Sequence, residues 1–220
     1  AGWILDDYQD NRYMSPPFGY AIVDEPSDWF DRGGISIQPN LLAGLVPYLD
    51  RDEPEIYIWM FFNAWVSCYR EEINAMVEHP FPVLGYSNTA HPKTSDEANA
   101  VMWLRSMFVY GPRDGLYLGR AVPRTWLDHQ GPIGLQKART RWGEVSVTYT
   151  PDPDADVLRA KVVFDLKAQP PRTVLRFRHP KGKPITSVTI NGKDHNAFDA
   201  AKEDVDLTGL GGALEIEARF

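Results

Sequence analysis

The chain has 220 residues and a mass of 24.9 kDa, with 43% hydrophobic and 24% charged side chains. Those proportions are ordinary for a folded protein and allow one large domain or two small ones. The net charge of −7 gives no basic footprint, so nucleic-acid binding is not expected.

Charge divides the chain. Residues 1–125 hold 17 acidic and 9 basic side chains, and residues 126–220 hold 13 and 14. Such a shift suggests two units. Cys68 is the only cysteine. It excludes an intrachain disulfide, and its apolar neighbours suit a small buried hydrophobe. No Cys/His spacing suggests a metal, and no cofactor is expected. AGWILDDY has no basic segment followed by an apolar one, so it does not read as a secretory signal peptide.

In chain order, residues 1–35 are rich in Pro, Gly and Asp and read as irregular. Leu41, Leu42, Leu45, Val46 and Leu49 fit a helical stripe, with Pro47 as a kink or early end. A long helix is expected from Pro54 to Glu78. Pro54 suits the first turn, and Asp52 and Glu53 suit the positive end of the dipole. YIWMFFNAWVSCY is apolar nearly all round. Asn63 and the Arg70-Glu71-Glu72 run exclude a membrane span, which needs roughly 20 apolar residues. Such a helix needs neighbours on every side. HPFPVLGYSNTAHPK reads as a long loop, functional or mobile.

TSDEANAVMWLRSMFVYG predicts another helix. Thr94 and Glu97 form a capping box, Val101, Trp103, Leu104, Met107 and Phe108 supply the buried face, and Gly111 is the stop. The period then becomes alternating. LYLGRAV, GEVSVTYT, VLRAKVVFDL, TVLRFRH, ITSVTI and ALEIEARF read as strands, and Asn191-Gly192 as a hairpin turn. RFRHPKGK reads as a basic, half-exposed strand. The expected class is α+β: a helical region over residues 1–115 and an antiparallel β-sandwich over residues 116–220.

Three stretches carry a resemblance. In TSDEANAVMWLRSMFVYGPRDGLYLGRAVPRTWL, a helix bearing Leu104, Met107 and Val109 leads to a short hairpin and then to Pro123, Arg124 and Trp126. GPIGLQKARTRWGEVSVTYT and RFRHPKGKPITSVTINGKDHNAFD follow as a sandwich opening and a terminal hairpin. This succession resembles the C-terminal region of the six-hairpin glycosidases, in which an α/α toroid precedes a β-sandwich. The resemblance covers roughly residues 36–220. It implies a carbohydrate-active enzyme, a glycoside hydrolase acting on a polysaccharide or oligosaccharide, of which this chain is the C-terminal part. A toroid needs more helices than are present, so the partner implied is an upstream helical region or another chain. The family's general acid would then lie upstream, and the chain alone would be inactive. An extracellular or periplasmic location would also follow.

Glycoside hydrolysis commonly uses two carboxylates flanking the scissile bond. Glu78, at the expected helix end, is the candidate acid or base, with His79 beside it. In WFDRGG, Trp29 offers a flat face to a sugar, and Asp31 and Arg32 offer directional hydrogen bonds. The ordinary readings weigh more: a solvated helix end and a turn with a local ion pair. A polysaccharide lyase would instead ask Tyr86 or His91 to act as base. A non-catalytic carbohydrate-binding or assembly module is the remaining alternative. Hydrolase-triad, P-loop, Rossmann and HExxH patterns do not occur in the sequence.

Overall fold

The computed structural model describes residues 45–71, 73–76, 80–81, 86–87 and 94–220. The chain divides into two compact units, Ala1–Leu104 and Arg105–Phe220. Its class is α+β, with few helices and mostly antiparallel sheets among the described residues.

In unit 1, α1 spans Val46–Asp50. Pro47 lies in its first turn, where a missing N–H costs nothing and φ is preset. Pro47 therefore starts this helix rather than kinking or ending it. Asp52, at φ 62, takes a left-handed conformation in the short link to α2, Pro54–Cys68. Pro54 occupies the first turn as expected.

The expected helix to Glu78 instead ends at Cys68. Tyr69 adopts φ −76 and ψ 133, and β1 (Tyr69–Arg70) pairs antiparallel with β2 (Ala75–Met76). Asn74 makes the return at φ 50, a conformation Asn tolerates better than most residues. The Tyr69 hydroxyl donates to Asn74 Oδ1 at 2.8 Å. The return brings Met76 into a buried cluster with Cys68 and Ala100, flanked by Trp65 and Tyr69. Burying a side chain of this size contributes roughly 1.5–3 kcal/mol, more than the few tenths per residue by which helix propensities differ. Cys68 is fully buried.

The expected loop after residue 78 contains a two-residue pairing, β3 (Pro80–Phe81) with β4 (Tyr86–Ser87). Then α3 runs over Thr94–Phe108. Asp96, Ala100, Trp103 and Met107 are buried along one stripe at spacings of three and four. Val101 was expected in the core and is 63% exposed, because it lies a full residue step off that stripe. The Tyr57 hydroxyl donates to the Trp103 carbonyl at 2.8 Å and ties α2 to α3. No helix among the described residues is long and apolar enough to cross a membrane.

In place of a stop at Gly111, α3 passes directly into β5 (Val109–Tyr110), which pairs with β6 (Leu116–Leu118). The β-branched and aromatic pair suits a strand better than a last helical turn. Unit 2 then builds two sheets. In the larger, the order is β12-β11-β15-β9-β8-β7; in the smaller, β13-β14-β10-β6-β5. The larger uses β7 (Ile133–Thr140), β8 (Gly143–Asp152), β9 (Val157–Leu166), β11 (Ser187–Ile190), β12 (Lys193–Asp194) and β15 (Gly212–Arg219). The smaller adds β10 (Thr173–Arg176), β13 (Phe198–Asp199) and β14 (Asp204–Asp206).

Alternation fixes the register of the larger sheet. Leu158, Ala160, Val162 and Phe164 of β9 are buried, while Arg159, Lys161, Val163 and Asp165 are exposed. Across the ladder Val162 faces Val147 and Leu214, and Ala160 faces Tyr149 and Ile216. Asn191 and Gly192, both at positive φ, make the two-residue turn between β11 and β12, the expected hairpin.

The two sheets meet at Tyr149. Its buried hydroxyl donates to the Arg176 carbonyl at 2.9 Å, and its ring packs edge-on against Phe177. Burial pushes the Tyr149 hydroxyl above its ordinary range, so it stays a donor. Gly119 lies against this contact at φ 69, where a Cβ would overlap the Tyr149 hydroxyl and meet the Arg176 carbonyl. Only glycine fits there. One described pairing is parallel, β10 with β6.

Candidate functional site

Glu78, His79, Trp29, Asp31, Arg32 and His91 all lie outside the described residues. Tyr86 forms the β4 pairing opposite Phe81.

A set of mutually bonded ionisable groups lies in unit 2. It is assembled by turns rather than strands. The 3-10 turn Arg124–Leu127 presents Arg124. The segment after β10 presents Arg178 and His179. The link between β8 and β9 presents Asp156, and the link between β13 and β14 presents Glu203. Glu203 is almost fully buried, and both of its oxygens are engaged. Oε1 accepts the His179 backbone N–H at 2.5 Å and Arg124 Nη1 at 3.0 Å. Oε2 pairs with Arg124 Nη2 at 2.7 Å. Arg124 Nη1 also donates to the His179 carbonyl at 2.7 Å. A carboxylate gripped by a forked guanidinium is a strong, directional pair.

His179 is 3% exposed. Its Nδ1 accepts the Lys181 backbone N–H at 3.1 Å, with the Lys183 N–H at 3.5 Å. Nε2 therefore carries the ring proton in the neutral form, facing Asp156 Oδ1 at 3.4 Å. The Phe220 ring lies 4.6 Å from the imidazole, centroid to centroid. Burial holds the imidazole below its ordinary pKa, against the upward pull of Asp156 and Glu203. Asp156 Oδ2 pairs with Lys183 Nζ at 2.5 Å. The Lys183 hydrogen bond holds that carboxyl below its ordinary range, outweighing the effect of burial.

Arg176 and Arg178, expected on a half-exposed strand, are both buried. Burial demands partners for a charge. Arg176 forks onto Asp204 through Nε at 2.6 Å and Nη2 at 2.8 Å. Arg178 Nε donates to the Val122 carbonyl at 2.6 Å. Glu203, Asp204 and Asp156 are the charged partners that sequence reasoning missed. They sit 20 or more residues from the basic run, and no short-range pattern links them.

This set fastens segments together. The two oxygens of Glu203 are held by Arg124 and a backbone N–H, and Asp156 is held by Lys183 and His179, so neither has the open acid–base geometry of a hydrolytic pair. A second group is more open. Tyr110 and Tyr117, opposite each other on β5 and β6, stack at 6.4 Å, and the Arg120 guanidinium lies 4.2 Å over the Tyr117 ring. Among the described residues no three ligating side chains come together to hold a metal ion.

The Pro123-Arg124-Thr125-Trp126 element supports both ends of this arrangement. Arg124 grips Glu203, and Trp126 stacks on Phe108 at 6.2 Å. No protein-family model matches the chain, and no curated protein matches it. Among solved structures it is similar to a protein described as "Glycoside hydrolase", at 13% identity and a TM-score of 0.39, over 84% of this chain and 33% of that one. The chain thus spans about a third of the length of that structure.

Proposed function

We propose that the chain is the C-terminal part of a carbohydrate-active enzyme, a glycoside hydrolase in which residues 1–115 complete an α/α toroid and residues 116–220 form a β-sandwich. The observation that carries this reading is the succession α3, the β5–β6 pairing, the Pro123–Trp126 turn and then the two sheets. That is the order in which the six-hairpin glycosidases leave their toroid. In this reading unit 2 is a support. Its buried charges are held by one another and by backbone groups, and a sugar is cleaved at the helical part.

Glu78 is the proposed acid or base, with His79, Trp29, Asp31 and Arg32 binding the sugar. The helical part is completed by an upstream helical region or another chain. Phe62, Ile73 and Val101 offer it exposed apolar side chains in unit 1.

The test is an assay on a panel of polysaccharides and oligosaccharides, using the complete product of the reading frame that encodes this chain. Hydrolysis by the complete product supports the reading, and its absence across the panel removes it. Glu78→Gln should lower turnover at least ~100-fold if Glu78 does general acid–base work. Unchanged turnover withdraws the role of Glu78 and leaves the architecture standing.

A further inference from the structure

Three turns of unit 2 and the residue after β15 converge on His179. Asp156 approaches from the β8–β9 link, Glu203 from the β13–β14 link and Arg124 from the 3-10 turn, with the Phe220 ring against the imidazole. Lys181 and Lys183 belong to the turn that begins at His179 itself, closed by the Gly182 N–H donating to the His179 carbonyl at 2.9 Å. The decisive contact is at Nδ1, which accepts a backbone N–H. A protonated ring carries hydrogen at both nitrogens. At Nδ1 that hydrogen would point at the Lys181 and Lys183 N–H groups, donor against donor.

We propose that His179 is an acid-sensitive latch: neutral, it holds the 179–183 turn closed; protonated, it releases that turn while the two sheets stay paired. The inference does not depend on the carbohydrate reading. The charged surroundings oppose one another. Asp156 and Glu203 favour the imidazolium, while burial and the Lys183 ammonium disfavour it, and the balance holds the ring neutral.

The sign follows from linkage. The closed turn has the lower imidazole pKa, so its stability is fully present above about 6.5, the ordinary imidazole value. It is lost as pH falls from there towards the lowered value in the closed turn. Over that window the closed-to-open ratio falls by up to about tenfold per pH unit. Asp156 acts in the same direction at lower pH. Its carboxyl is held down in the closed turn, so its contribution is present above the ordinary carboxylate value and lost as pH falls through the lowered one.

The test is nuclear magnetic resonance of the full chain between pH 7.5 and 4.5, reading the imidazole nitrogens of His179 and amide exchange. The expected result is an Nε2–H tautomer at neutral pH. Protection of the Lys181 and Lys183 amides, corrected for the intrinsic pH dependence of exchange, should fall up to about tenfold per pH unit below about 6.5. The β8 and β9 amides should hold over the same range. His179→Gln offers a carboxamide oxygen in place of Nδ1 and does not titrate, so the folded variant should show a flattened profile. An Nδ1–H tautomer at neutral pH overturns the proposal. So does a ring that protonates while both amides stay protected, or a folded variant with the same slope. The wild-type measurement decides alone if the variant does not fold.

Discussion

In unit 1, Phe62, Ile73 and Val101 stand exposed, while in unit 2 the large apolar side chain exposed among the described residues is Val163. Among the described residues, charge is buried at Asp96 in unit 1 and at more positions in unit 2. Arg176, Arg178 and Glu203 are buried in unit 2, each with a partner. A sheet pair that closes on itself can bury its apolar faces fully and turn spare charges inward to pin its turns. Among the described residues of unit 1, the apolar α2 keeps Phe62 exposed and α3 keeps Val101 exposed. Unit 2 can be attacked where its closure depends on one atom.

The largest effect is expected at Gly119. A Cβ there would overlap the Tyr149 hydroxyl where the two sheets meet, with φ already at 69. Gly119→Ala combines overpacking with backbone strain and should cost about 4 kcal/mol or more, in the range reserved for severe single changes. Amide exchange in β8 and β9 should report it. Protection equal to wild type would mean that the sheets do not close on Tyr149. The corresponding change in unit 1 is Trp103→Ala. Trp103 is fully buried, and its loss should cost about 3–4 kcal/mol by chemical denaturation followed through α2 and α3. If Trp103→Ala also unfolds unit 2 with the same midpoint, the two units are one cooperative body and the contrast drawn above fails.

The parts that could be read from the sequence are those whose period is carried locally. The expected strand from Val157 to Leu166 agrees with β9, because every second residue is apolar and both faces have distinct neighbours. Asn191-Gly192 was legible because its turn type demands left-handed residues. The end of α2 at Cys68 was not. It is decided by Met76 returning to a cluster that includes Ala100 of α3, a contact with no local signature. The strands Phe198–Asp199 and Asp204–Asp206 are too short to alternate, and so went unseen. Arg176 and Arg178 misled because alternating charge and hydrophobe normally means one wet face. Here both faces are covered, and the partner Asp204 lies on a strand of only three residues. The candidate site at Glu78 and WFDRGG was read from residue type, loop position and an expected helix end that falls instead at Cys68, and it lies outside the described residues.

A smaller effect is expected at Glu203. Glu203→Gln keeps the shape and one acceptor for the His179 N–H, but removes the charge that Arg124 forks onto. The loss should be about 2 kcal/mol, the scale of a hydrogen bond to a charged group. Arg124→Met in the same background measures the coupling. If the double variant loses less than the sum of the two single losses, the two act as one pair; additive losses would show that the turn is held by something else.

The smallest effect carries the most information about unit 1, because its sign is the readout. Val101 lies on α3 with 63% of its surface exposed, one position away from the stripe of Ala100 and Trp103. In an uncovered helix, alanine is favoured over a β-branched residue by roughly 0.5 kcal/mol, since Val loses rotamer freedom against the preceding turn. Val101→Ala should therefore raise stability by a few tenths of a kcal/mol in the chain by itself. In the complete product the proposal places apolar neighbours against unit 1. If they cover Val101, the same substitution removes two buried methyl-sized groups there and should cost about 1 kcal/mol or more. A gain in both settings means that Val101 faces water throughout. The partner surface would then have to be sought at Phe62 and Ile73 instead. A gain alone and a loss in the complete product would mark α3 as part of the buried joint.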